Sequence, residues 1–183
     1  PIQLDGAPLT PEQLGGITHI LLSAAPTREG DPALPLLTPA LQTHALSWLG
    51  YLSTTGVYGD HAGAWIDEDT PCGKMGARGQ ARVDAEAAWG ALSEAQNLPI
   101  HYFRLAGIYG PGRNQLVSMQ NGKARRIEKP DQVFSRIHVA DIAQILLASI
   151  DKPNAGRAYS VCDDGPAPPQ DVVAFAADLL GME

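Results

Sequence analysis

The chain has 183 residues, 44% hydrophobic and 18% charged, with a formal net charge of -7 and an isoelectric point near 5.1. That length can bury a substantial core in one domain. The acidic balance argues against nucleic acid as a partner, and no apolar run reaches membrane-spanning length, so a soluble, cytoplasmic protein with no membrane partner is expected.

Taken in order, Ile17 to Ser23 is a continuous apolar run between Gly15-Gly16 and Ala24-Ala25-Pro26, and reads as a buried parallel strand. The turn Ser23-Ala24-Ala25-Pro26 is built of small residues, which suit either a tight turn or the close approach of a ligand. Thr38-Pro39 reads as a helix N-cap and first-turn proline. Leu37, Leu41, His44, Ala45 and Trp48 then recur at helical spacing. Trp48 to Leu52 is a β-favouring apolar run that stops at three hydroxyls, Ser53, Thr54 and Thr55, with Gly56 and Gly59 following. In open α/β sheets ligands bind outside the carboxyl ends of strands, so this run marks the expected site.

Asp60 to Ala77 has no periodicity and is rich in Gly, Asp and Pro, the composition of a long surface loop. His61, Trp65 and Asp67 are either substrate-facing or part of a solvated loop held by one anchoring tryptophan. Ala77 to Gln96 predicts a helix, with Ala81, Ala85, Ala88, Leu92 and Ala95 as a narrow face against the sheet. Arg78 and Arg82 lie together on an adjacent strip. Pro99 to Ala106 predicts the next strand, Val133 to Val139 another, and Asp141 to Ile150 a helix. Arg157 to Cys162 predicts a short strand. Pro168-Pro169 opens a last helix with Val172, Val173, Ala176 and Leu180 inward and Gly181 as its stop. Lys123, Arg125, Arg126 and Lys129 form a basic cluster that reads as a solvated loop. Cys72 and Cys162 lack metal-ligand spacing and are expected as free thiols, with no metal anticipated.

Four ordered segments carry a family resemblance: STTGVYGD (53–60), RGQARVDAE (78–86), RLAGIYGPGR (104–113) and VFSRIHVADIAQIL (133–146). Together they resemble the extended short-chain dehydrogenase/reductases, the NAD-dependent epimerase/dehydratase group. The resemblance implies an α/β fold, the later portion of a doubly wound, Rossmann-like parallel sheet, with residues from about 109 to 183 contributing most of a small C-terminal substrate-side lobe. It implies NAD or NADP as cofactor. Ser23, Ala24 and Ala25 would lie on the adenine-side ribose, and Leu105, Ala106, Gly107 and Ile108 beside the nicotinamide. Thr54 would hold the substrate oxygen, and His138 and Asp141 would fix a strand-to-helix junction.

Two departures alter the chemistry that the resemblance implies. The family's Tyr-x-x-x-Lys pair is replaced by Arg78 and Arg82, and arginine does not deprotonate in proteins. Arg82 could still bond the nicotinamide ribose, and Arg78 could hold an anionic group, with His61, Tyr58 or a water as the proton source. Either both arginines serve the site in this way or they are exposed helix residues. Phe134 stands where the family's nucleotide-sugar epimerases carry an arginine, which argues against a sugar-nucleotide substrate.

The pyrophosphate-binding turn of a dinucleotide fold is glycine-rich and follows the first strand. No such pattern occurs here, since Gly15-Gly16 precedes a strand. The expectation is that about 60 residues, two βα units, precede Pro1. The functional expectation is an oxidoreductase or epimerase-like enzyme on a small carbonyl or alcohol substrate, with a homodimer as the assembly to test. The alternative is an NAD(P)-binding regulatory or scaffold protein without turnover.

Overall fold

The computed structural model describes residues 6–73, 75–128 and 132–182, so Pro1 and Lys129 lie outside the described residues. Four parallel strands form the main sheet in the order β1 (His19–Leu22), β2 (Trp48–Thr54), β3 (Ile100–Leu105) and β6 (Ala158–Val161). Helix α1 (Ala33–Leu41) connects β1 to β2, and α2 (Ala77–Gln96) connects β2 to β3. Between β3 and β6 the chain forms a separate parallel pair, β4 (Gly107–Tyr109) with β5 (Arg136–His138), together with α3 (Gln115–Gln120) and α4 (Val139–Asp151). Helix α5 (Pro169–Leu180) closes the described chain and packs on α3. The expected α/β, Rossmann-like parallel sheet is therefore present.

Alternation along the strands divides the core into two sets. Leu49, Tyr51, Ile100 and Tyr102 pack with Leu37, Ala40 and Leu41 of α1 and with Ala85 and Trp89 of α2. Trp48, Phe103, Leu105 and Val161 pack instead with Ile142, Ile145 and Leu146 of α4. On this second side the Trp48 indole lies over Gly50, so close that a Cβ at residue 50 would fall 2.1 Å from Trp48 Cη2. Trp48 also donates to Ser149 Oγ at 3.0 Å and stacks on His101, with ring centroids 5.8 Å apart. His101 is fully buried, and its Nε2 accepts the Asn154 N–H at 2.9 Å. Burial pushes its pKa below the ordinary value.

Several local expectations are corrected. The first strand is shorter than Ile17 to Ser23, with Leu22 in the core and Ile20 half-buried against it. It is an edge strand in the described sheet, and Leu21 is 45% exposed. Thr38 and Pro39 lie inside α1, where the Thr38 hydroxyl bonds back to Leu34 O at 2.6 Å. The helix starts earlier because Asp31 Oδ1 accepts the Ala33 N–H at 2.9 Å, satisfying an amide that has no intrahelical partner. It ends at Leu41, so His44 and Ala45 fall beyond it and Trp48 faces the opposite side of the sheet.

Helix α2 keeps its expected bounds, but its inward face is turned from the alanine stripe. Ala85 and Trp89 are buried, Arg82 and Glu86 bond the sheet, Ser93 donates to Leu98 O in the turn that follows, and Ala95 is exposed. The sheet surface beneath it carries Ser53, Tyr51 and Arg104, which call for polar partners rather than methyl groups. Likewise β6, expected in the small lobe, pairs with β3 in the main sheet. Gly181 closes α5 at φ +62°, a left-handed conformation that favours glycine.

Candidate functional site

The carboxyl ends of β2, β3 and β6 come into register as a row, Ser53 opposite Arg104 and Arg104 opposite Ser160. All three face α2, and Glu86 of that helix receives the first two, Ser53 and Arg104. Ser53 Oγ donates to Glu86 Oε1 at 2.5 Å, while Arg104 Nη2 donates to Oε2 at 2.8 Å and Nε to Oε1 at 3.3 Å. The pair is nearly buried, with side chains 12% and 11% exposed. Arg104 Nη1 also donates to the Tyr58 phenol at 3.0 Å, and that phenol pairs with Ser160 Oγ at 2.9 Å. Burial works against the Arg104 charge, but the bonds to Glu86 and Tyr58 outweigh it and raise its pKa.

After Ser53 the chain leaves the sheet in a 3-10 turn, Thr55–Val57. Thr54 Oγ1 caps it by accepting the Gly56 N–H at 3.1 Å, and the Thr54 side is only partly buried. The start of α2 packs onto this turn: a Cβ at Gly79 would fall 3.0 Å from Gly56 O. One step along the helix, Arg82 Nη1 donates to Leu52 O at 2.7 Å and to the Tyr51 phenol at 3.3 Å. Burial, together with Asp31, drives the Tyr51 pKa up to about 12 against the lowering effect of Arg82. Arg78 is exposed and makes no hydrogen bond or ion pair among the described residues.

On the β3 side, Leu105 is paired with Thr54, and Gly107 follows two residues later. Leu105 and Ala106 are buried, Ile108 is half-buried and Gly107 is exposed. An added Cβ at Gly107 would meet only ordinary contacts, 3.5 Å from Ser135 O and 3.7 Å from Arg136 Cγ, and its φ is not left-handed. Nothing in the described chain therefore requires glycine at this position. Arg82, Thr54 and Gly107 thus stand around the ends of two paired strands, although they come from three separate segments. Ser23, Ala24 and Ala25 are all exposed after β1 at the same edge of the sheet.

The loop from Asp60 is pinned rather than free. His61 Nε2 bonds the Tyr58 carbonyl at 3.0 Å, and Glu68 Oε1 accepts the Ser160 N–H at 2.7 Å. Trp65 is 85% exposed and anchors nothing, so the anchor is Glu68. Asp67 pairs with Thr70. His138 caps α4 by accepting the Ala140 N–H at 3.3 Å, and Asp141 pairs with Gln144, a structural junction. Phe134 is exposed, and the nearby Arg136 guanidinium donates to the carbonyls of Phe134 and Ala167. A cleft of about 250 Å³ opens elsewhere, between the Thr27 turn and Ala77, Ala81 and Asp84 of α2. Among the described residues no group of three His, Cys, Asp or Glu side chains could hold a metal, and both cysteines are free and exposed.

Reasoning from sequence missed Glu86, Arg104, Ser160 and Glu68. A signal existed for Glu86, a charged residue four positions after Arg82 in a helix otherwise read as an alanine face.

A model of the NAD dependent epimerase/dehydratase family matches residues 34–162. A solved structure of a functionally unknown conserved protein from Silicibacter pomeroyi is 53% identical, with a TM-score of 0.90, and is covered over 100% of this chain and 64% of that one. At lower identity, 19%, lies a dTDP-glucose 4,6-dehydratase from Bacillus anthracis in complex with NAD, with a TM-score of 0.78, covering 91% of this chain and 58% of that one. A dTDP-glucose 4,6-dehydratase from Streptomyces venezuelae with NAD bound is 16% identical, with a TM-score of 0.82, and the match covers 94% of this chain and 60% of that one. The chain thus spans less than two thirds of the length of each. Among curated proteins none matches the sequence. No described helix is long and apolar enough to cross a membrane.

Proposed function

The chain belongs to the NAD dependent epimerase/dehydratase family, and from that premise we propose that it binds NAD or NADP and transfers hydride to or from a small carbonyl or alcohol substrate. The observation that carries this reading is Arg82, held at Leu52 O beside Thr54 instead of turning to solvent. The nicotinamide, when bound, supplies the hydride-exchanging carbon. Arg82 offers its remaining donors to the adjoining ribose hydroxyls. Gly107, exposed and free of any internal need for glycine, leaves backbone open to the ring's approach. Ser23, Ala24 and Ala25 border the adenine-side ribose.

Thr54 holds and polarises the reacting oxygen. Arg78, exposed and uncompensated, favours an anionic group on the substrate, but as an arginine it does not exchange the proton. Tyr58 is fully buried against Arg104 and Ser160, so it is not a proton source. His61, exposed and held to the Tyr58 carbonyl, takes that role directly or through a water. Phe134, and an Arg136 already bonded to two carbonyls, argue for a substrate smaller than the sugar nucleotides of the dehydratases above. On this reading the pyrophosphate-binding glycine turn comes from sequence outside residues 1–183, and the protein assembles as a homodimer in the cytoplasm.

A second reading, a cofactor-binding regulatory protein without turnover, is favoured by one observation: residue 78 is an arginine where the family acid is a tyrosine. The test uses full-length protein, NADH or NADPH titrations, and oxidation or reduction with a panel of small carbonyl and alcohol compounds. Thr54→Ala should lower turnover about a hundredfold, the effect of losing one oriented donor to a developing oxyanion. It should leave cofactor affinity nearly unchanged. Tight cofactor binding without turnover across the panel would favour the regulatory reading, and absence of cofactor binding would overturn both.

A further inference from the structure

We propose that Glu86 is a positioning residue, its single carboxylate tying both flanks of the Thr54 turn to the helix that carries Arg82. The proposal rests on the reading that Thr54 and Arg82 serve one site. Ser53, the residue before Thr54, donates to Glu86 Oε1. Tyr58, four residues after Thr54, is held by Arg104 Nη1, and Arg104 is itself held by both Glu86 oxygens. The turn therefore leaves and re-enters the core between two tethers that meet at one group.

A salt bridge made only for stability would need no more than the Arg104 contacts. The added Ser53 bond reaches the one residue whose displacement moves Thr54. Because the Thr54 hydroxyl accepts from the Gly56 amide, its direction follows the turn backbone. Glu86 and Arg82 lie one helical turn apart and both face the sheet, so displacing one shifts the turn relative to the other. The carboxylate thereby sets the distance between the oxygen-holding and ribose-holding parts of the site.

The experiment is residue-resolved amide hydrogen exchange on the full-length protein, without cofactor, comparing wild type with Ser53→Ala, Glu86→Gln and the double variant. Ser53→Ala leaves the Arg104 pair intact and so keeps the fold. Exchange at the Gly56 and Tyr58 amides should quicken about tenfold in Ser53→Ala, the scale of one charge-assisted bond. The amides of Leu49 to Leu52 should stay at wild-type rates. Adding Ser53→Ala to Glu86→Gln should add less than Ser53→Ala does alone, since the glutamine keeps an acceptor for Ser53 but without the charge that strengthens the bond. Equal quickening along β2 and the turn, or none at the turn, would overturn the proposal. Since no cofactor is present, such a result would leave the NAD(P) reading standing. With a substrate that is turned over, Ser53→Ala should lower kcat and leave KM, whereas a raised KM with unchanged kcat would also overturn it.

Discussion

The two sides of the sheet solve different problems with the same strands. Toward α4, Trp48, Phe103, Leu105 and Val161 make a dry, aromatic layer in which the polar exceptions, His101 and Ser149, each have one partner. Toward α2, the same strands present Ser53, Tyr51 and Arg104, and the helix answers with Glu86 and Arg82. Buried hydrocarbon stabilises without direction, whereas a carboxylate with several donors holds its neighbours at fixed angles. Both sides bury apolar layers, and the α2 side adds to its own, around Leu49, Ile100 and Trp89, a polar patch that aims what stands at the strand ends.

Breaking this contrast should produce its largest effect on stability. Trp48→Ala should cost about 3–5 kcal/mol by removing an indole that fills the space over Gly50. On the other side, replacing Glu86 by Leu together with Arg104 by Met should stay within about 2 kcal/mol of wild type, because apolar groups of similar size often replace a buried ion pair without loss. Urea denaturation of the two variants checks both, and a double variant as unstable as Trp48→Ala would erase the distinction between the sides.

A smaller effect sharpens the contrast through pH. His101 Nε2 accepts the Asn154 amide, so it must be unprotonated in the native state, and burial lowers its pKa below the ordinary 6.5. The unfolded chain then binds more protons than the folded chain below that value. Stability from this group is therefore complete above pH 6.5 and declines as pH falls below it. Thermal melts from pH 7.5 to 5 should show this decline, and His101→Phe should flatten it. An unchanged slope in the variant would mean that another group carries the dependence.

The smallest expected effect is at Arg78, which is exposed and unpaired among the described residues. Arg78→Ala should change unfolding free energy by no more than about 0.5 kcal/mol. It should still weaken binding of anionic compounds in the panel relative to neutral ones, as competition titrations would read. Equal loss for neutral and anionic compounds would remove Arg78 from the site.

The sequence carried the features set by local pattern. The bounds of α2 were readable because Ala81, Ala85, Ala88, Leu92 and Ala95 recur at helical spacing up to Gln96, where the helix ends. The hydroxyls at the end of β2 were readable because the apolar run stops there. Residues that act across the sheet were not. Ser53 and Glu86 are 33 positions apart and Tyr58 and Ser160 are 102 apart, so their meeting depends on strand register that no local spacing encodes. Thr38-Pro39 misled for the opposite reason: a strong start signal lay within a helix already begun at Ala33.

The placement of the three tryptophans gives the molecule a built-in optical probe. Trp48 and Trp89 are sealed in the two halves of the core, whereas Trp65 stands 85% exposed on a loop pinned by His61 and Glu68. Emission from the first two will lie to the blue and resist acrylamide, and among these three the red, quenchable fraction will belong to Trp65. Changes in that fraction on adding a dihydronicotinamide would register events at the rim of the sheet without any label. The same spectrum's blue component would report, independently, whether the core had moved.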